Sequence, residues 1–446
     1  MNCMTEGTRE QSKDAKSNWD ASRTKQTQQV GKCQQPRPPP PPPPPPPLRS
    51  GMPVAGAGGP AKKKRKVGLE CEDYQSEESD GDDDDSADVE VQNGFNHPDG
   101  LCLDPRGNIF VADGGNHRIV RLDGSDATFL CYAGGDGAGF EEGTTDDALF
   151  RSPTGVTFTP SGDLLIADTE NNVIRKICAG MVSTVAGCQE EGFRDGSAAE
   201  AMFNYPTGIA CDPQGSIYVV DGGNHRIRKI ENGIVSTFAG SGQKGYKDGA
   251  ASVAQFKHPG GIAIDKNGNV LVADYGNHRV RSILPSGEVK TLAGSGKKGK
   301  TDGAGPAASF TYPMGLAVNP VTGDVIVADY GSERIRLIST QGVVSTLAGT
   351  GKPGFKDGPL SISTFNQPRG VACDLAGRVY VIDRGNHAVR VISDTHTKTI
   401  AGLGVPVSTL GDDDLDDEEE DGPPMGMIGC SLVPNTRDYL KFEKGM

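Results

Sequence analysis

His117, His225, His278 and His387 each stand four residues after an aspartate, namely Asp113, Asp221, Asp274 and Asp383. Imidazole beside carboxylate is the pairing that relays protons and holds divalent metals, so a metal-dependent reaction is the first chemistry this spacing raises. A second set is cationic. Lys244 and Lys247, then Lys297, Lys298 and Lys300, then Lys352 and Lys356 fall in three glycine-rich stretches whose first lysines are 53 and 55 residues apart. Lysines on exposed loops attract carboxylates and phosphates. A third set is Lys62, Lys63, Lys64, Arg65 and Lys66, five adjacent cations that resemble a monopartite nuclear import signal.

The aspartates belong to a longer series that decides how to read the histidines. Asp113, Asp168, Asp221, Asp274, Asp329 and Asp383 recur at intervals of 55, 53, 53, 55 and 54 residues. A Pro-x-Gly step recurs with them at Pro98, Pro153, Pro206, Pro259, Pro313 and Pro368, and an Ala-Gly pair closes each unit, ending at Gly134, Gly187, Gly240, Gly294, Gly349 and Gly402. Copies two and five keep the aspartate but replace the histidine, reading Asn171-Asn172-Val173 and Ser332-Glu333-Arg334. Asp and Asn side chains satisfy backbone donors in tight turns, so the six aspartates read as structural corners rather than ligands. An arginine follows the aspartate by seven residues in five copies, at Arg175, Arg228, Arg281, Arg336 and Arg390, with Val120 in the first. These arginines are expected to pair with the aspartate while their stems cover apolar surface.

Each unit divides into four short strands. In the fourth copy, apolar Gly261 to Asp265, the turn Lys266 to Asn269, and apolar Val270 to Asp274 precede an alternating run from Arg279 and a last strand ending at Gly294. Antiparallel units of four strands at a fixed period predict an all-β, six-bladed β-propeller that closes without a long free edge. The third residue of the first strand is small in every copy (Cys102, Thr157, Ala210, Ala263, Ala317, Ala372), as crowding at an axis would require. The segment from Ala250 to Phe256 predicts one or two helical turns inside the connection between blades. Strand direction places these connections on the same face as the Asn-His turns. There the lysines of copies three to five oppose Glu141, Glu142, Asp146, Asp147, Glu190 and Glu191 of copies one and two.

Gly-Asn-His-Arg at Gly115 to Arg118, Gly223 to Arg226 and Gly276 to Arg279, with Gly385-Asn386-His387, resembles the NHL repeat. The resemblance spans residues 94–410 and implies a six-bladed propeller that serves as a platform for protein or RNA. A WD-type blade is shorter and needs its Trp-Asp signature, whereas the one tryptophan, Trp19, lies outside the units.

Flanking composition predicts disordered tails. Residues 1–93 hold ten consecutive prolines, Pro38 to Pro47, the basic run and an acidic run at Asp82 to Asp85; residues 411–446 hold 11 acidic against 3 basic side chains. The proline run suits the aromatic grooves of SH3, WW or profilin-type domains. Within the propeller, residues 94–203 carry 17 acidic and 7 basic residues, and the remainder to 410 carries 15 and 22, so the ring is polarised. Ten cysteines without a Cys-x-x-Cys pair exclude a RING or B-box zinc module and suit free thiols in a reducing compartment. No apolar run suits a signal peptide or a membrane span, so no membrane partner is expected. The reading is a non-enzymatic interaction scaffold without cofactor that binds a protein through its loop face. RNA is the alternative ligand, and a metal-dependent lyase or lactonase the alternative activity. The expected location is nuclear, with cytoplasmic as the alternative.

Overall fold

A computed structural model describes residues 94–402. The tails, with the proline run, Lys62 to Lys66 and the acidic runs, lie outside the described residues, as do positions 403–410.

Six antiparallel sheets follow one another along the chain. In the third, Pro206–Cys211 is innermost, followed outward by Ile217–Asp221, Arg226–Glu231 and Ile234–Ala239. Every residue of Ile217–Asp221 is buried, because a strand covered on both faces by neighbouring blades needs an unbroken apolar run. The strand after the corner alternates instead, and a bulge between Ile227 and Arg228 turns the arginine inward.

Five blades gain a short fifth strand that the sequence pattern did not disclose. In the third blade it is Gly196–Ser197, drawn from the preceding connection and paired to Ile234–Ala239 at the outer edge. The first blade has four strands among the described residues. Of the one or two helical turns expected from Ala250 to Phe256, a single turn forms. Gly249–Ala250 is a fifth strand, one turn follows with Val253 and Ala254 N–H on Ala250 C=O at 2.9 and 3.0 Å, and Gln255 then bonds back to Lys247. Seven residues between two cross-strand anchors leave room for a turn only.

The core is not one cluster but six, each between adjacent blades. That between blades three and four joins Val220 and Ile227 to Phe256 and Val272, and that between blades six and one joins Tyr380, Ile382 and Val389 to Phe95, Leu101 and Val111. The ring therefore closes by the same apolar packing that joins successive blades. At the axis, a β-carbon on Gly315 would overlap Arg369 C=O, and one on Gly155 would overlap Thr207 C=O. The glycine of each Pro-x-Gly step is the residue that lets neighbouring backbones approach this closely. The small third residues do not line the axis. Cys102, Ala263 and Ala317 instead pack into the clusters between blades.

Candidate functional site on the loop face

Each repeated aspartate ends a fully buried strand and is itself inaccessible. Asp221 Oδ2 accepts from Arg228 Nη1 at 2.6 Å and from Asn224 Nδ2 at 2.9 Å, and Oδ1 accepts from Asn204 N–H at 2.8 Å. Asn224 spends its other N–H on Gly192 C=O at 2.7 Å, which ties the long connection to the corner. The same pairing recurs as Arg175–Asp168 at 3.1 Å, Arg281–Asp274 at 2.6 Å, Arg336–Asp329 at 2.9 Å and Arg390–Asp383 at 2.5 Å. In the first blade, where Val120 occupies the usual place, Arg118, two residues earlier and directly across from Asp113 in the ladder, reaches it at 2.9 Å. Burial pushes Asp168, Asp329 and Asp383 up to about 6, while the donors around each act in the other direction.

The arginines are sandwiched as well as paired. Arg228 lies 4.9 Å from the Phe193 ring and 5.0 Å from Phe203, and Arg281 lies 4.9 Å from Tyr246 and 5.1 Å from Phe256. In blades three to six a loop aspartate adds a second carboxylate: Asp195, Asp248, Asp302 and Asp357 stand 2.5 to 2.7 Å from the arginine.

The histidines are acceptors between blades. Each caps its corner in the left-handed region, His278 at φ 53°, which aims Nδ1 at the next blade. Ser152 N–H donates to His117 at 3.1 Å, His258 N–H to His225 at 3.4 Å, Tyr312 N–H to His278 at 3.2 Å and His97 N–H to His387 at 3.1 Å. Where histidine is absent the acceptor remains, since Tyr205 N–H donates to Asn172 Oδ1 at 3.0 Å and Gln367 N–H to Glu333 Oε2 at 2.6 Å. Burial pulls His117, His225 and His387 down and takes His278 to about 4, as an imidazole that accepts a hydrogen bond requires. Among the described residues no three His, Cys, Asp or Glu side chains gather as a metal-binding group.

The lysines sit where strand direction placed them. Lys247, Lys297, Lys298, Lys300, Lys352 and Lys356 are exposed and Lys244 is half-buried, all on three consecutive connections beside the Asn-His turns. Lys298 Nζ is 5.1 Å from the Tyr312 ring, and Lys244 and Lys298 each depress a neighbouring turn histidine. These loops have defined shapes: Lys244 and Lys298 form bridges to the buried Phe256 and Phe310, and Asn277 holds Gly245 C=O at 2.8 Å. The acidic set, Glu141, Glu142, Asp146, Asp147, Glu190 and Glu191, is exposed on the connections of the first two blades. Sequence reasoning did not reach the end of the axial channel, where Asp99 meets Arg369 and Arg384 and the rings of Tyr275 and Tyr330 lie 6.4 Å apart.

Five stretches, 95–122, 150–177, 203–230, 256–281 and 365–392, match the family model for the NHL repeat. The chain is an NHL-repeat protein. The blade outside those stretches is the fifth NHL unit, whose corner holds Ser332 and Glu333 in place of Asn and His, yet its strands keep the common order. The chloroplastic Protein SUPPRESSOR OF QUENCHING 1 of Arabidopsis thaliana is 30% identical over 320 residues, covering 66% of this chain and 30% of its own length. NHL repeat-containing protein 2 of Bos taurus is 30% identical over 333 residues, covering 66% of this chain and 46% of its own. The chain thus spans less than half the length of these NHL relatives. An auxiliary nutrient binding protein from Bacteroides thetaiotaomicron superposes with a TM-score of 0.52 at 15% identity, over 69% of this chain and 70% of that one, and shares the fold.

Proposed function

We propose that the NHL propeller is a non-enzymatic platform that binds an acidic protein through the lysine arc of its loop face, and that Lys62 to Lys66 direct it to the nucleus. The observation that carries this reading is the exposure of lysines on three consecutive connections with built shapes, opposite an acidic arc on the same face. Pre-shaped loops lose little entropy on binding, and the charge gradient orients an approaching partner. Protein is favoured over RNA because the loop aromatics are already engaged. Tyr246 lies 3.7 Å from the Arg279 guanidinium and Phe355 lies 4.9 Å from Arg390, which leaves few faces on which bases could stack.

The test is affinity capture with the full chain, followed by titration of the captured partner against wild type and Lys297→Glu, Lys298→Glu, Lys300→Glu together. Affinity and its salt dependence should both fall in the triple variant, while the melting temperature holds, because surface substitutions move stability by roughly 0.5 kcal/mol or less. Unchanged affinity and salt slope would remove the arc from the binding surface. Import is tested by comparing a fluorescent fusion of residues 55–95 with its Lys63→Ala, Lys64→Ala form; equal nuclear signal refutes it.

A further inference from the structure

The outer edge of the first blade differs from the other five in a definite register. In blades two to six a glycine opens the short fifth strand opposite a buried residue of the outer strand: Gly143 opposite Val182, Gly196 opposite Val235, Gly249 opposite Val289, Gly303 opposite Val344 and Gly358 opposite Thr397. Phe129 holds that place in blade one, across from Leu122 as Val182 is across from Ile177, and it is only half-buried. Two backbone groups are open as well. Thr145, two residues after its glycine, donates its N–H to Gly180 C=O at 3.1 Å and accepts at its own C=O from Gly134 N–H at 3.2 Å; Ala198, Ala251, Gly305 and Leu360 make the same pair of bonds. The sixth acceptor of this set, Ala127 C=O, and the sixth donor, Gly402 N–H, are unbonded among the described residues. Such an edge is a template for one more strand.

The edge also differs in chemistry. Just before each fifth-strand glycine stands an acid, Glu142, Asp195, Asp248, Asp302 or Asp357, which accepts the N–H of an outer-strand threonine, as Asp195 accepts from Thr237 at 3.1 Å. That threonine lies across from the buried arginine, Thr237 from Arg228. Blade one has Val120 for the arginine and the exposed Cys131 for the threonine, facing one another, so the matching neighbour should be apolar. The chain after Gly402, which lies outside the described residues, fits each requirement. Every fifth-strand glycine stands nine residues after the glycine of its Ala-Gly pair, as Gly143 follows Gly134 and Gly358 follows Gly349, and Gly411 follows Gly402 by the same count. The residue before it is Leu410, apolar where the other five are acidic. The glycine is required, since φ at this position is 127° to 137° in the five blades, where a β-carbon is not tolerated. The rival is the chain entering blade one, which by the spacing of Gly143 from Phe150 would place Asp88 there, seven residues before Phe95. Asp88 cannot adopt that backbone.

We propose that residues 403–413 of this same chain dock on the first blade and complete it, with Gly411–Asp412 as its fifth strand along Phe129 and Thr128, Asp413 joining Ala127 C=O to Gly402 N–H, and Leu410 beside Cys131. The acids that follow Gly411 are no bar, since Asp146 and Asp147 follow Gly143 in the same turn of the second blade. The joint between the last and first blades then receives from the tail what the other five receive from a continuous connection.

Amide hydrogen exchange of the full chain, read by mass spectrometry, tests this. Peptides covering 403–413 should exchange at least about 10-fold more slowly than an unfolded chain of the same sequence, because exchange then waits on local opening. Gly411→Val should abolish that protection, and Gly422→Val, farther along the tail, should leave it in place. The strands of the ring should keep their own protection in both variants. Exchange of 403–413 at the unfolded-chain rate, protection that survives Gly411→Val, protection of 84–91 in place of 403–413, or protection that is lost on dilution, as pairing with a second copy requires, would each overturn the proposal.

Discussion

A neutral imidazole explains what the histidine of the NHL corner is for. The corner needs an acceptor on a left-handed residue, and histidine, Asn172 and Glu333 all supply one. The charge states diverge with pH. His278 has a folded pKa near 4, below its ordinary 6.5, so its contribution to stability is complete above 6.5 and is lost as pH falls towards 4. Thermal melts from pH 7.5 to 4 should show that loss. His278→Ala should cost about 1–3 kcal/mol at neutral pH by stranding the Tyr312 N–H, and His278→Asn, which copies the second blade, should cost less. Burial pushes Glu333 up to about 7 from 4.5, so its contribution runs the other way, present below 4.5 and lost as pH rises through 7. Glu333→Gln should therefore raise the melting temperature at pH 8 and not at pH 5. Arg228→Ala should cost about 3–5 kcal/mol in denaturant titration, because it strips the inaccessible Asp221 carboxyl of its partner. The repeated aspartates and arginines were legible because they lie 7 residues apart on adjoining strands. The histidine's partner was not, since it is a bare backbone N–H 34 residues away for His278, on residues as different as Ser152 and Tyr312.

Strands were readable where apolar runs and turn residues mark them, which covers the four principal strands of every blade. The fifth strand escaped notice because two residues such as Gly143–Thr144 or Gly358–Pro359 carry no periodicity. Its pairing is dictated by where the connection is pinned: the buried Phe256 and the Asn277 bond hold both ends of a loop that then lies along the outer edge. The Pro-x-Gly glycines were visible as a pattern, but their cause is the neighbouring backbone. Gly315→Ala is expected to lower stability by about 1–3 kcal/mol, since the obstruction is the Arg369 carbonyl and no side chain can move aside; calorimetric unfolding checks it. The lysine loops could be located from strand direction alone. The channel end could not, because Asp99 and Arg369 are 270 residues apart and meet only when the ring is complete.

Among the described residues, six clusters between blades, and none belonging to a single blade, make the ring the folding unit. Deleting 94–150 should abolish cooperative unfolding, because it exposes two apolar faces that have no matching partner; a single sharp transition at the wild-type temperature would contradict closure. The polarity of the ring follows from which blades carry which connections, and salt should weaken partner capture on the lysine side first. The seam between the last and first blades has a further implication. It holds the same kind of apolar cluster as the five joints that the backbone crosses, and the same clamp of a corner side chain on a backbone N–H, here His97 N–H on His387. Peptide continuity is thus incidental to any one joint. A circular permutant, with residues 402 and 94 linked and new termini opened in another connection, should fold to the same propeller: the molecule has a first residue, but its ring has no beginning.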